Sequence, residues 1–187
     1  MRTIAFAMCG SFCTFKNALE QMKKLRESYE ILPVMSENAY GTNTRFGTAE
    51  SFRWKVEGIC GREIIHSIAS AEPLGPKRLA DAVVIMPCTG NTAAKLANAV
   101  TDTAVTMAAK SALRVSIPVV LALATNDALG ASFKNIGLLM NTKNIYFVPM
   151  AQDSPMTKPN SLVAHFDMLE KTLESAFSGK QLHPVLM

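Results

Sequence analysis

The sequence contains no uncharged apolar stretch long enough to cross a bilayer, and its first apolar run, Ile4 to Met8, is too short for a signal peptide. The expectation is a protein that acts in the cytosol, with no membrane partner. Cysteine is scarce: Cys9, Cys13, Cys60 and Cys88 form no CxxC pair, and three histidines are too few for a zinc set. No metal site is expected, and the thiols read as small buried groups in a reducing compartment. The G-x-G-x-x-G fingerprint of dinucleotide-binding turns is missing. So are internal repeats, low-complexity tracts and linkers. The charge surplus is only +4, and its one early cluster, Lys23, Lys24 and Arg26, reads as a solvated helix face. With no RNA- or DNA-reading motif beside it, nucleic acid is not an expected partner.

What remains is a chain of 187 residues, 49% apolar and 18% charged, sized for a single domain over residues 1–187 with a sizeable core. Short apolar runs alternate with longer amphipathic segments, the pattern of βαβ units. Strands are predicted over Thr3 to Met8, Ile31 to Met35, Ala82 to Met86, Val119 to Ala124 and Ile145 to Val148. These runs are apolar on both faces, as parallel strands covered on both sides must be. Helices are predicted over Phe15 to Glu27, Thr48 to Gly58 (with Thr48 as N-cap), Thr92 to Ala99, Thr103 to Ala112 and Leu162 to Phe177, with Gly179 as a stop. The alanine-rich Thr92 and Thr103 helices suit close packing on a sheet or on a neighbouring protomer. Ile64 to Ile68 fits a strand or a helical turn, and Glu72 to Lys77 reads as a rigid loop. The fold class is α/β: a doubly wound, Rossmann-like or flavodoxin-like domain with a mainly parallel sheet.

Such sheets bind ligands outside the carboxyl ends of their strands, so the turns after each strand are the candidates. Cys9-Gly10-Ser11-Phe12-Cys13-Thr14 follows the first strand. Gly10 permits close backbone approach, and Ser11, Phe12 and the helix start offer an anion its donors; the alternative is a tight turn. Ser36, after the second strand, either reaches the same phosphate or caps the next segment. Pro87-Cys88-Thr89-Gly90-Asn91-Thr92 is dense in hydroxyl, amide and glycine and can wrap a phosphate or the edge of a flavin. Thr125-Asn126-Asp127 faces the same crevice; Asn126 either orients a carboxylate or a flavin carbonyl or simply makes a turn.

Gly10-Ser11, Ser36 and PCTGNTAAKLANAVTD at 87–102 resemble the homo-oligomeric flavin-containing decarboxylases, which include phosphopantothenoylcysteine decarboxylases and flavin prenyltransferases. That resemblance implies FMN in the crevice and a homo-oligomer, a trimer or a dodecamer built from trimers. ENAYGTNTRFG at 37–47, AEPLGPK at 71–77, TNDALG at 125–130 and NTKNIYFVPMAQDSPMTKPNSLVA at 141–164 narrow it to the family of dipicolinate synthase B subunits. This narrower likeness implies a mother-cell protein of sporulating bacteria. It also implies a partner, the dipicolinate synthase A subunit, that is itself NADP-binding. Together the two would convert a dihydro- or hydroxytetrahydrodipicolinate to dipicolinate. Two departures stand out. Where the decarboxylases carry a working histidine, this chain has Pro73, and His66 lies earlier. Where they carry Pro-Ala-Met-Asn, this chain has Leu-Ala-Thr-Asn, ending at Asn126.

The implied substrate carries two carboxylates, which arginine grips in bidentate fashion. Arg45 is the only cation of its polar loop, and its alternatives are a salt bridge or a contact between protomers. Lys77 and Arg78 are further cations, and Glu72 is a candidate base. Three functions stay open: a flavin-binding oxidoreductase component, an FMN-dependent lyase or prenyltransferase, and a non-catalytic scaffold with a vestigial crevice.

Overall fold

A computed structural model describes all 187 residues. In chain order the elements are β1 (Thr3–Met8), a 3-10 turn (Phe12–Thr14), α1 (Phe15–Leu25), β2 (Glu30–Met35), α2 (Glu37–Gly41), α3 (Ala49–Cys60) and α4 (Ile68–Ala71). A second 3-10 turn (Glu72–Leu74) leads to β3 (Ala82–Cys88), α5 (Gly90–Ala97), α6 (Ala104–Leu113), β4 (Val119–Thr125) and α7 (Phe133–Met140). The chain finishes with β5 (Ile145–Phe147), β6 (Met150–Ala151), β7 (Leu162–Ala164), a third 3-10 turn (Phe166–Met168) and α8 (Leu169–Phe177). No helix is long and apolar enough to cross a membrane.

The strands form one seven-stranded sheet in the order β2-β1-β3-β4-β7-β6, with β5 on the first half of β4. The five predicted strands pair in parallel. Their double-sided apolarity has the expected cause. Ile4, Phe6 and Met8 enter a core of 29 buried residues, whereas Ala5 and Ala7 enter one of 27 on the opposite face. Two cores of nearly equal size mean that helices cover the sheet on both sides, as a doubly wound fold requires.

Local signals placed most helix starts. Thr48 caps α3 by accepting from the Ser51 N–H, and Thr103 closes a capping box with Thr106 at the start of α6. Gly179 takes φ +71 just after α8 and ends it, as expected. The predicted closing helix is corrected in its first part. Leu162–Ala164 is a strand, antiparallel to the end of β4 and to β6. A three-residue strand is too short to show an alternation that distinguishes it from helix. The ambiguous Ile64 to Ile68 resolves into both readings: Ile65 makes a single parallel bridge to Val34, and Ser67 then caps α4.

The small residues of α6 take the first of their two expected partners, the sheet. Ala104, Ala108, Ala109 and Ala112 are buried within the chain itself, against the sheet and the Glu72–Leu74 turn. Their closeness is therefore intramolecular.

Candidate functional site

Because β1 to β4 run in parallel, their four following turns emerge at the same edge of the sheet. The backbone stitches three of them together there. The Cys9 N–H donates to the Pro87 carbonyl (3.3 Å), and the Ser36 N–H donates to that of Met8 (3.0 Å). The result is an open cleft of about 620 Å³ beside a smaller polar depression of about 320 Å³. Gly10, Thr89 and Asn91 line both, so the two form one crevice.

Thr89 is the N-cap of α5: its hydroxyl accepts from the Thr92 N–H and donates to the Thr92 hydroxyl (3.0 Å). Thr92 passes the chain on by donating to the Cys9 sulfur at 3.1 Å, which ties the third turn to the first. Gly90 keeps the contact close. A Cβ there would lie 2.8 Å from the Thr125 hydroxyl and 3.0 Å from that of Ser132, so a larger residue would push these hydroxyls aside where the start of α5 rests on the end of β4. The Gly10 N–H has no acceptor within the chain, and the N–H groups of Gly90 and Asn91 lie beyond the reach of their own helix's carbonyls. Free main-chain donors from two turns thus converge where an anion is best received.

The crevice holds most of the residues expected from the sequence. Gly10, Ser11, Phe12, Thr89, Gly90, Asn91 and Thr125 line the larger cleft, together with Arg45 and Asn126. Ser36 and Thr92 line the smaller depression, where Lys95 pairs with Asp102 at 2.8 Å. That hydrogen bond holds the Asp102 carboxyl below its ordinary range. Ser36 also fulfils its second reading: its hydroxyl accepts from the Ala39 N–H and caps α2.

Three expected residues stand elsewhere. Pro87 and Cys88 are buried inside β3 and line neither cavity, so they shape the turn without reaching its surface. Lys77 lies outside the crevice as well. Its neighbour Gly75 packs on Ser111 near the end of α6, the end that feeds the start of β4. That is the opposite edge of the sheet.

Asp127 of the expected turn lines the cleft too, and further polar lining was missed by strand-end reasoning: Ser132, Asp153, Lys158 and Ser161. Asp127 accepts from the Ser132 hydroxyl at 3.2 Å. Asp153 and Lys158 belong to the β6–β7 loop and pair at 2.9 Å. The Ser161 hydroxyl and the Lys158 ammonium hold the Asp153 carboxyl below the usual carboxylate range. The signal was the polar, hydroxyl-rich stretch after the fifth strand, which obeys the same carboxyl-end rule as the others.

No histidine lines the cleft. His66 stacks on Tyr40 at 4.1 Å, away from it. The thiols divide sharply. Burial pushes Cys9 up to about 11 and Cys60 up to about 12, and burial next to Cys9 pushes Cys88 well above an ordinary thiol. Only Cys13 is exposed. Since the thiolate is the reactive form, a thiol reagent at pH 8 is expected to label Cys13 alone in the native protein. Mass spectrometry showing Cys9 or Cys88 labelled as fast as Cys13 would contradict the burial just described.

Comparison with known proteins agrees with this architecture. The flavoprotein family model matches residues 1–171. The chain belongs to the flavoprotein family. This flavoprotein-family chain is 48% identical over 187 residues to the B subunit of dipicolinate synthase from Bacillus subtilis (strain 168), covering 100% of the chain and 94% of that protein. A crystal structure of the dipicolinate synthase B subunit from Bacillus halodurans superposes with a TM-score of 0.91 at 44% identity, over 100% of this chain and 96% of that one. Burkholderia xenovorans DmrB in complex with FMN, described as a cubic protein cage for redox transfer, shares the fold. Its TM-score is 0.68 at 19% identity, over 95% of this chain and 96% of that one.

Proposed function

We propose that this chain is the B subunit of a dipicolinate synthase, which holds FMN in the crevice and acts with an NADP-binding A subunit in the cytoplasm of the sporulating mother cell. The observation that carries the reading is the end-to-end 48% identity to a dipicolinate synthase B subunit, in a chain whose strand-end donors converge on one anion-ready crevice. The substrate is a small dicarboxylate, a dihydro- or hydroxytetrahydrodipicolinate. Aromatisation of the dihydro ring removes a hydride and a proton; the hydroxylated ring first loses water. Bound FMN would supply the hydride acceptor on this chain, and NADP would supply it on the partner.

The residues present suit that cofactor. The Gly10 N–H, Ser11, and the N–H groups of Gly90 and Asn91 would hold the phosphate, and Thr125 and Asn126 would face the ring system. Arg45 would hold a substrate carboxylate. The homo-oligomer implied by the family, a trimer or a dodecamer of trimers, belongs to the same reading. Cysteine decarboxylation is disfavoured, because no imidazole lines the cleft and Pro73 sits in the 3-10 turn outside it.

The test is an assay of dipicolinate formation with each of the two proteins alone and combined, with and without FMN, together with the visible spectrum of the purified chain. The expected result is a flavin spectrum and activity that needs both proteins. A chain that stays colourless after incubation with FMN, yet still activates its NADP-binding partner, would leave it a scaffold with a vestigial crevice.

A further inference from the structure

We propose that Arg45 and Lys158 are paired anchors for the two carboxylates of the ring diacid, and that Asp153 is the counter-ion Lys158 gives up when the diacid enters. The inference rests on the dicarboxylate reading above and adds to it the second anchor and the exchange.

The two cations come from opposite sides of the sheet. Arg45 follows β2, and Lys158 lies between β6 and β7. In the order β2-β1-β3-β4-β7-β6, β2 and β7 are four strand positions apart, which is roughly 19 Å at the strand spacing of about 4.8 Å. Both nevertheless line a single cleft of about 620 Å³. The two loops and their long side chains together close that span over the floor made by the turns after β1, β3 and β4. A flat ligand lying on that floor meets one cation at each rim.

Both loops are framed, so the cations are presented rather than adrift. Thr44 and Gly47 exchange backbone hydrogen bonds at 3.0 and 3.1 Å, a tight turn that carries Arg45 and Phe46 at its tip. On the other side the Lys158 N–H donates to the Ser154 carbonyl (2.7 Å), and the Gln152 amide donates to that of Pro159 (2.7 Å). The Leu129 N–H donates to the Asn160 carbonyl (3.0 Å), which pins this loop to the turn after β4.

The electrostatics are asymmetric in a useful way. The Arg45 guanidinium lies 4.9 Å over the Phe46 ring and has no hydrogen bond or ion pair within the chain. Its planar fork is free for a carboxylate. Lys158 is already paired with Asp153, but its side chain is 54% exposed, and such pairs are weak. Asp153 thus occupies the position that a ligand carboxylate would take on Lys158. A diacid gripped by Arg45 brings its second carboxylate to Lys158 at high local concentration and displaces Asp153. A mono-acid has no second group to make the exchange, so the arrangement selects diacids.

The probes are pyridine-2,6-dicarboxylate, pyridine-2-carboxylate and FMN. Each is titrated calorimetrically into the wild-type chain and into Arg45→Met, Lys158→Met and Asp153→Asn, with thermal melts to confirm folding. All three residues lie at the surface, so the fold is expected to persist. Arg45→Met and Lys158→Met should each weaken diacid binding about ten- to a hundred-fold, the loss of one charge-assisted contact. Mono-acid binding should be far less sensitive to Lys158→Met, and Asp153→Asn should tighten the diacid. Wild-type diacid binding that Lys158→Met leaves unchanged overturns the inference and spares the dicarboxylate reading. Loss of FMN affinity in Lys158→Met with unchanged diacid affinity also overturns it, by giving the lysine to the flavin phosphate. Absence of any diacid binding to the wild type, with FMN bound, removes the dicarboxylate reading itself.

Discussion

Gly10→Asp is expected to cost at least about thirty-fold in FMN affinity while leaving the melting temperature nearly unchanged. Space is not the obstacle: a Cβ at Gly10 would meet the Phe12 ring at 3.5 Å and Asn38 at 3.7 Å, ordinary contact distances. The chain itself therefore has no steric need for glycine there. An aspartate would put a carboxylate beside the N–H groups proposed to hold the flavin phosphate. Two unit charges 4 Å apart at an effective dielectric of 20 repel by about 4 kcal/mol. The cleft is open to water, and about half of that survives as roughly thirty-fold. Gly10→Ala is the control, and should bind much closer to wild type. Fluorescence titration with FMN checks both variants. Binding by Gly10→Asp within about threefold of wild type would remove the phosphate from this turn.

Gly75→Ala is expected to do the reverse: lower stability sharply and leave the crevice chemistry alone. A methyl group at Gly75 would sit 1.8 Å from the Ser111 carbonyl oxygen and 2.2 Å from its carbon. Both are backbone atoms inside α6, so no rotamer change relieves the overlap. The segment would have to lift away from α6. That would break the hydrogen bond from the Gly75 N–H to the Ser111 hydroxyl (3.2 Å) and open the packing of Ala71 and Leu74, now 0% and 1% exposed. Overpacking at such a site costs on the order of 3 kcal/mol, which in a chain of this size lowers the melting temperature by about 6–12 °C. Because Gly75 lies at the sheet edge away from the crevice, FMN affinity of the folded fraction should not change. A melt within about 2 °C of wild type would show that the two segments separate easily.

The contrast between these glycines shows where sequence reading stops. Both stand in the sequence as glycines near a turn, and Gly10 is set apart by following a strand. The demand at Gly75 arises from a helix that is distant along the chain, and no local pattern carries it. Lys77 is the same case. It looked available as a cation, but the helix-and-turn passage from Ile65 back to β3 returns the chain to the opposite edge of the sheet, as every crossover between parallel strands must.

By itself the sequence determined the five parallel strands, their burial on both faces, several helix caps, and which turns share one edge of the sheet. Each of these depends on residues within a turn or a strand of one another: apolar runs set the strands, and a hydroxyl three residues ahead of an N–H sets a cap. Only the tertiary structure decided the rest. It made Leu162–Ala164 a strand, because a segment that short takes its conformation from the β4 edge it joins. It sealed Pro87 and Cys88 inside β3, where the neighbouring strands cover them. It brought Arg45 and Lys158, from loops far apart in the sheet order, over one floor. Which side chains meet across a cleft depends on how the strands are ordered and how far their loops overhang, and that is a property of the assembled sheet rather than of any stretch of chain.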